Sequence, residues 1–118
     1  MKMNYFVVGT NDIDASRRFY DALFEGEGLQ RFSPSDRMTY WLGSDFAFAV
    51  AIPFDEKPAT RGNGTMVGFS VGGQKDVERI FARALDLGGT SEGAPGQRGP
   101  KFSAYVRDLD GNKLCLSN

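Results

Sequence analysis

Histidine is absent from the 118 residues, cysteine occurs once, at Cys115, and tryptophan once, at Trp41. Each shortage excludes chemistry. Without histidine there is no ordinary acid/base for neutral pH, no common zinc site, and no serine–histidine or cysteine–histidine couple. A lone cysteine forms no intrachain disulfide and gives no sign of an oxidising compartment. Charge of one sign is lacking too: 14 Lys and Arg face 15 Asp and Glu, a net of -1. Such a balance provides no basic field for a phosphate backbone or an anionic membrane, so neither is an expected partner. No apolar run approaches the roughly 20 residues of a membrane span. The N-terminal "MKMNYFVVGTND" turns polar too early for a secretory signal. The expectation is a cytoplasmic protein.

What is present is 41% hydrophobic residues, with 13% of the chain aromatic, enough for one modest core. A single domain over 1–118 is expected. Tyr5 to Thr10 is β-rich, and "NDIDASRRFYDALFEGEG" then switches to helical spacing, with Ile13, Ser16, Phe19, Tyr20, Leu23 and Phe24 on one stripe. Asn11 or Asp12 serves as its N-cap, and Gly26 or Gly28 ends it. Strand-like runs follow at Leu29 to Ser33, Met38 to Leu42 and Phe46 to Ile52. "PFDEKPATRGNG", Pro53 to Gly64, is rich in proline and glycine and reads as a connection.

After that connection the order restarts. Thr65 to Val71 is a strand, and "QKDVERIFARALDLGG" is a helix with Val77, Ile80, Phe81, Ala84 and Leu85 on one stripe, ended at Gly88. Short strands are expected near Thr90, at Phe102 to Arg107 and at Lys113 to Ser117. The last two are joined by "DLDGN", which lacks the spacing of a calcium loop and reads as a hairpin turn. "GTSEGAPGQRGPKF", Gly89 to Phe102, reads as a surface loop or a flap. The fold class is therefore α+β: two tandem βαβββ modules, about 1–53 and about 65–118, in a curled mixed sheet with helices outside.

The strands divide into two kinds of face. Phe46, Phe48, Val50 and Ile52 alternate with Ala47, Ala49 and Ala51, and Val67, Phe69 and Val71 alternate with Met66, Gly68 and Ser70. In the last hairpin Phe102, Ala104, Val106, Leu114 and Leu116 oppose Ser103, Tyr105, Arg107, Lys113, Cys115 and Ser117. The bulky face suits helix packing, and the small, polar face suits a mixed cavity. Its expected lining is Tyr5, Trp41, Ala49, Met66, Gly68, Ser70, Tyr105, Arg107 and Cys115, with Tyr40 and Trp41 competing for one position. Arg107 either pairs with Asp108 or Asp110 or points along that face toward an anionic ligand.

"YFVVGTNDIDASRRFYDAL", "GNGTMVGFSV" and "YVRDLDGNKLCL", with the doubled module order, resemble the vicinal oxygen chelate superfamily, which includes glyoxalase I, bleomycin-resistance proteins and extradiol dioxygenases. The resemblance implies a curled sheet around a substrate or metal. It also implies that the histidine and glutamate ligands of metal-dependent members fall here on Tyr5 (or Asn4), Met66 and Cys115, with none in Phe46 to Ile52. Such a set is ill matched to a hard divalent ion. No cofactor is expected. The expected partners are a small-molecule ligand and a second copy of the chain, as a homodimer. The expected function is small-molecule binding; the alternative is a glyoxalase-like lyase or isomerase.

Overall fold

A computed structural model describes all residues, 1–118. In chain order the elements are β1 (Tyr5–Gly9), α1 (Ile13–Leu23), β2 (Gln30–Phe32), β3 (Met38–Leu42), β4 (Ala47–Ala51), β5 (Met66–Ser70), α2 (Gln74–Asp86), β6 (Thr90–Arg98), β7 (Lys101–Arg107) and β8 (Lys113–Ser117). Two βαβββ modules follow one another. They form two four-stranded sheets, ordered β1-β4-β3-β2 and β5-β8-β7-β6. In each, the first strand pairs in parallel with the last, and the remaining pairs are antiparallel.

Local chemistry sets the helix ends. The Asp12 carboxylate accepts from the Ala15 amide at 3.0 Å and caps α1. At the start of α2, Gly73 donates its amide to the Asp76 carboxylate at 2.9 Å. This α2 ends in a Schellman arrangement, in which the Gly88 amide donates to Leu85 and the Gly89 amide to Ala84, with Gly88 at φ 99°.

The bulky faces expected to pack helices do so. Val8, Trp41, Phe48 and Val50 from the first sheet, Ala104, Val106, Leu114 and Leu116 from the second, and Phe19, Tyr20, Leu23, Val77, Ile80 and Ala84 from the helices belong to one core. The core is shared between modules: Phe69 of β5 meets Phe24 at 5.5 Å and Phe48 at 5.4 Å.

A polar lock also joins the modules. The buried Tyr20 hydroxyl donates to Asp108 Oδ2 at 2.6 Å, across 88 positions of sequence. The same carboxylate accepts from the Asp110 and Asn112 amides and from Asn112 Nδ2. Asn112 Nδ2 reaches the Gly9 carbonyl at 2.9 Å, and the Asn11 amide donates to Asp110 at 2.9 Å. Burial and the adjacent Asp108 charge push the Tyr20 phenol well above its usual range. Burial also raises the Asp108 carboxyl, against the hydrogen bonds that favour its charged form. "DLDGN" is thus a hairpin turn, and it docks the second module onto the first.

One segment departs from expectation. Gly89 to Phe102 is neither flap nor loop, since Thr90 to Arg98 forms β6, an edge strand whose pairing with β7 slips between Ser91 and Gly93 and again between Gly93 and Gly96. An edge position with irregular register needs no amide from Pro95.

Candidate functional site

On the side of each sheet away from the core lie two faces of different chemistry. In the first module Tyr5 and Val7 flank the alanines of β4, and Met38, Tyr40 and Leu42 flank them from β3. Alanine is short enough for neighbouring rings to lean over it: Tyr5 and Tyr40 meet edge to face at 5.7 Å across β4, and Phe32 stacks on Tyr40 at 6.5 Å. Ala49 is fully buried as a result, so the tyrosines, rather than Ala49, form the surface. Tyr5 and Phe32 are each 53% exposed, and Val7 and Leu42 are also open. None of these residues carries charge.

Trp41 does not line this face. It is 2% exposed in the core, and its indole N–H donates to Asp21 of α1 at 3.1 Å. The indole finds a half-exposed acceptor there at the edge of the core, whereas the Tyr40 hydroxyl on the open side needs none from the protein. Tyr40 takes the position expected for Trp41.

The second module presents Met66, Gly68 and Ser70 on β5, Lys113, Cys115 and Ser117 on β8, and Ser103, Tyr105 and Arg107 on β7. Cys115 lies directly across from both Gly68 and Tyr105, a half-buried free thiol. The Arg98 guanidinium and the Lys113 ammonium sit 5.1 and 5.2 Å from the centre of the Tyr105 ring. Arg107 pairs with neither Asp108 nor Asp110: its Nε donates to Glu92 at 2.5 Å and its terminal nitrogen to the Gly111 carbonyl at 2.7 Å. The Arg107 guanidinium holds the Glu92 carboxyl below its usual range, with lesser help from Lys113 and Arg61. Arg98, and Phe32 of the first face, were missing from the expected lining; Tyr40 was the alternative to Trp41, and Lys113 was placed on this face with Cys115 but not counted among the lining residues. For Lys113 the period-2 alternation with Cys115 was the available signal.

Between β1 and β5 a groove of about 320 Å³ brings together Tyr5, Gly68 and Ser70, with Met3, Phe46 and Phe69. An adjoining cavity of about 280 Å³ shares Phe46, Phe69 and Ser70 and continues toward Leu29 and Val71. Met66, Tyr105, Arg107 and Cys115 do not line either one. Of the expected residues, the structure therefore gathers Tyr5, Gly68 and Ser70 in the groove and the other four on the second module's face.

A family model described as Glyoxalase/Bleomycin resistance protein/Dioxygenase superfamily matches residues 2–116. The chain belongs to that superfamily. It is similar to a glyoxalase/bleomycin resistance protein from Albidiferax ferrireducens T118, at 33% identity over 98% of this chain and 96% of that one, with a TM-score of 0.91. It shares its fold with the fosfomycin resistance protein FosX from Mesorhizobium loti (22% identity, 100% and 90% covered, TM-score 0.69). The fold is also that of a lactoylglutathione lyase from Agrobacterium tumefaciens (17% identity, 98% and 92% covered, TM-score 0.74). A comparison with functionally curated proteins gives no match.

Metal-dependent chemistry of the kind this superfamily implies needs hard oxygen and imidazole donors. Tyr5, Met66 and Cys115 supply a phenol, a thioether and a thiol, and no group of three or more acidic, cysteine or histidine side chains in the chain is arranged to hold a metal ion. The residues present do not fit a hard divalent ion.

Proposed function

We propose that this protein binds a small amphipathic molecule between an uncharged aromatic surface and a polar, cationic one, without a divalent metal, as a sequestering or sensing member of its superfamily. The contrast between the two sheet faces carries this reading. Aromatic rings over alanine offer contact to an apolar body, while the Tyr105 surroundings offer charge to a polar end. A donor set of phenol, thioether and thiol supports the metal-free part. Catalysis of the lyase type would have to draw its proton transfers from Tyr5, Tyr105 or Cys115, since the faces offer no imidazole and no paired carboxylates.

The open apolar residues of the first face, Tyr5, Val7, Phe32 and Leu42, support a second copy of the chain as their cover, in a closed homodimer. A cytoplasmic setting goes with the unpaired cysteine. Native mass spectrometry of the purified protein, paired with elemental analysis, tests the whole reading. The expected result is a dimer with substoichiometric zinc, nickel, manganese and iron, retaining or accepting an amphipathic compound. Stoichiometric metal, or turnover of the hemithioacetal of methylglyoxal and glutathione above background, overturns it.

A further inference from the structure

The groove of about 320 Å³ between β1 and β5 and the adjoining cavity of about 280 Å³ have Phe46, Phe69 and Ser70 as their common wall. These three side chains are not equally free. Phe69 is fixed edge to face against Phe24 at 5.5 Å and Phe48 at 5.4 Å. Ser70 is too short to close a passage. Phe46 is 40% exposed and lies outside the shared core, so its ring is the one part of this wall that can move without disturbing the packing of the helices.

Glycine sets where that ring stands. Phe46 enters β4 from the turn over residues 43–45, and the Gly43 amide donates to the Phe46 carbonyl at 2.8 Å, which pins the backbone. A Cβ on Gly43 would lie 2.5 Å from the Phe46 ring, so only a residue without a side chain lets the ring lean over the turn. With the backbone held, the motion left to Phe46 is rotation about its side-chain bonds, which half-exposed residues make within nanoseconds. The walls on either side suit hydrocarbon. No charged residue borders the groove, and Glu27, the single one at the cavity, is taken up by Arg79 at 3.1 Å.

We propose that Phe46 is the valve between the two cavities: turned aside, it joins them into one apolar passage, and its position sets the length of the unbranched hydrocarbon chain that the protein takes. The inference rests on the small-molecule reading above and specifies the apolar part of the ligand. Two small chambers joined at one side chain suit a flexible chain, which threads the join, better than a rigid ring system, which does not. A chain that ends in the groove leaves the ring in place. A longer one meets the ring and has to turn it aside before further methylenes gain burial in the cavity.

The test is an amide-resolved NMR titration of the intact protein with straight-chain alcohols from butanol to decanol. Short members are expected to shift the amides of Tyr5, Ala47 and Gly68, which border the groove alone, with affinity rising about fourfold per methylene. The rise should stall at the length that reaches Phe46, and the amides of Gly28, Leu29 and Val71, which border the cavity alone, should respond only beyond that length. Phe46→Ala should remove the stall and bring the cavity amides into play with shorter chains, and Phe46→Trp should strengthen it. An unchanged stall in either variant would overturn the valve while sparing the small-molecule reading. So would cavity amides that respond together with the groove amides from butanol onward in the unaltered chain. No response at either set of amides to any alcohol would overturn both.

Discussion

The two modules share one topology and one way of packing a helix, yet their outward faces share almost no chemistry. In the first, β4 is alanine at alternate positions and its neighbours lay Tyr5, Tyr40 and Phe32 over it, giving an uncharged aromatic surface. In the second, β8 carries Lys113, Cys115 and Ser117 at the corresponding places, and its neighbours bring Tyr105, Arg98 and Arg107. The inward faces are under the same constraint in both modules, because each buries its helix in one common core. Duplication thus fixes what faces the helices and leaves the other side free to diverge. A ligand with an apolar body and a charged end matches that divergence.

The sharpest way to break the comparison is to exchange inside for outside. Trp41→Ala opens a cavity in the shared core and should cost about 3–5 kcal/mol in urea unfolding, whereas Tyr40→Ala, one residue away on the open face, should cost far less. Comparable losses at the two positions would mean that the faces are assigned wrongly. Next in size is the lock between modules. Tyr20→Phe leaves the Asp108 carboxylate short of one buried donor and should destabilise by about 1–3 kcal/mol.

The lock also has a pH signature of definite sign. Because burial raises the folded-state pKa of Asp108, its contribution to stability is full below the ordinary carboxylate pKa and declines as pH rises through the raised value. The Asp108→Asn variant should lack that decline in a series of unfolding midpoints.

Phe32→Glu places a charge on the uncharged face, and a lower mass by analytical ultracentrifugation than that of the unaltered chain is the expected outcome. The smallest effect belongs to Glu92, whose pKa is lowered by Arg107: its stabilisation is present above the ordinary carboxylate pKa and lost as pH falls through the lowered one. Glu92→Gln should remove this acid-side loss, its small deficit against the unaltered chain appearing at neutral pH and vanishing in acid.

Most of the fold was legible because periodicity reports directly on a one-sided core. The stripe from Ile13 to Phe24 and the alternation from Ala47 to Ala51 each have one helix-facing set, and the structure buries Phe19, Tyr20, Leu23, Phe48 and Val50 accordingly. Alternation, however, does not say which of two adjacent aromatics turns inward. For Tyr40 and Trp41 the decision lies with Asp21, twenty residues earlier, which accepts the indole N–H. Of β6 only the start near Thr90 was expected; its extension to Arg98 was hidden by its glycines and proline, which an edge strand with bulges tolerates and a central strand does not.

The lock was hidden for a different reason. "DLDGN" has good local reasons to turn, and nothing local reveals that its buried carboxylate serves Tyr20 in the other module. The alanine face was read as bordering a space, and the rings that cover it come from other strands. Arg98 escaped notice because its approach to Tyr105 depends on a register slip that no pattern encodes.

The lock and the shared core also bear on how the molecule could be divided. Residues 53–64 join the modules in covalent terms, but Tyr20, Asp108, Asn112 and the aromatic contacts of Phe69 hold them together from either side of that join. Residues of the join add to this hold, since Ala59 exchanges two hydrogen bonds with the Asn11 side chain. Two separately translated halves, cut within 53–64, should therefore assemble as a noncovalent pair, which their co-purification would show.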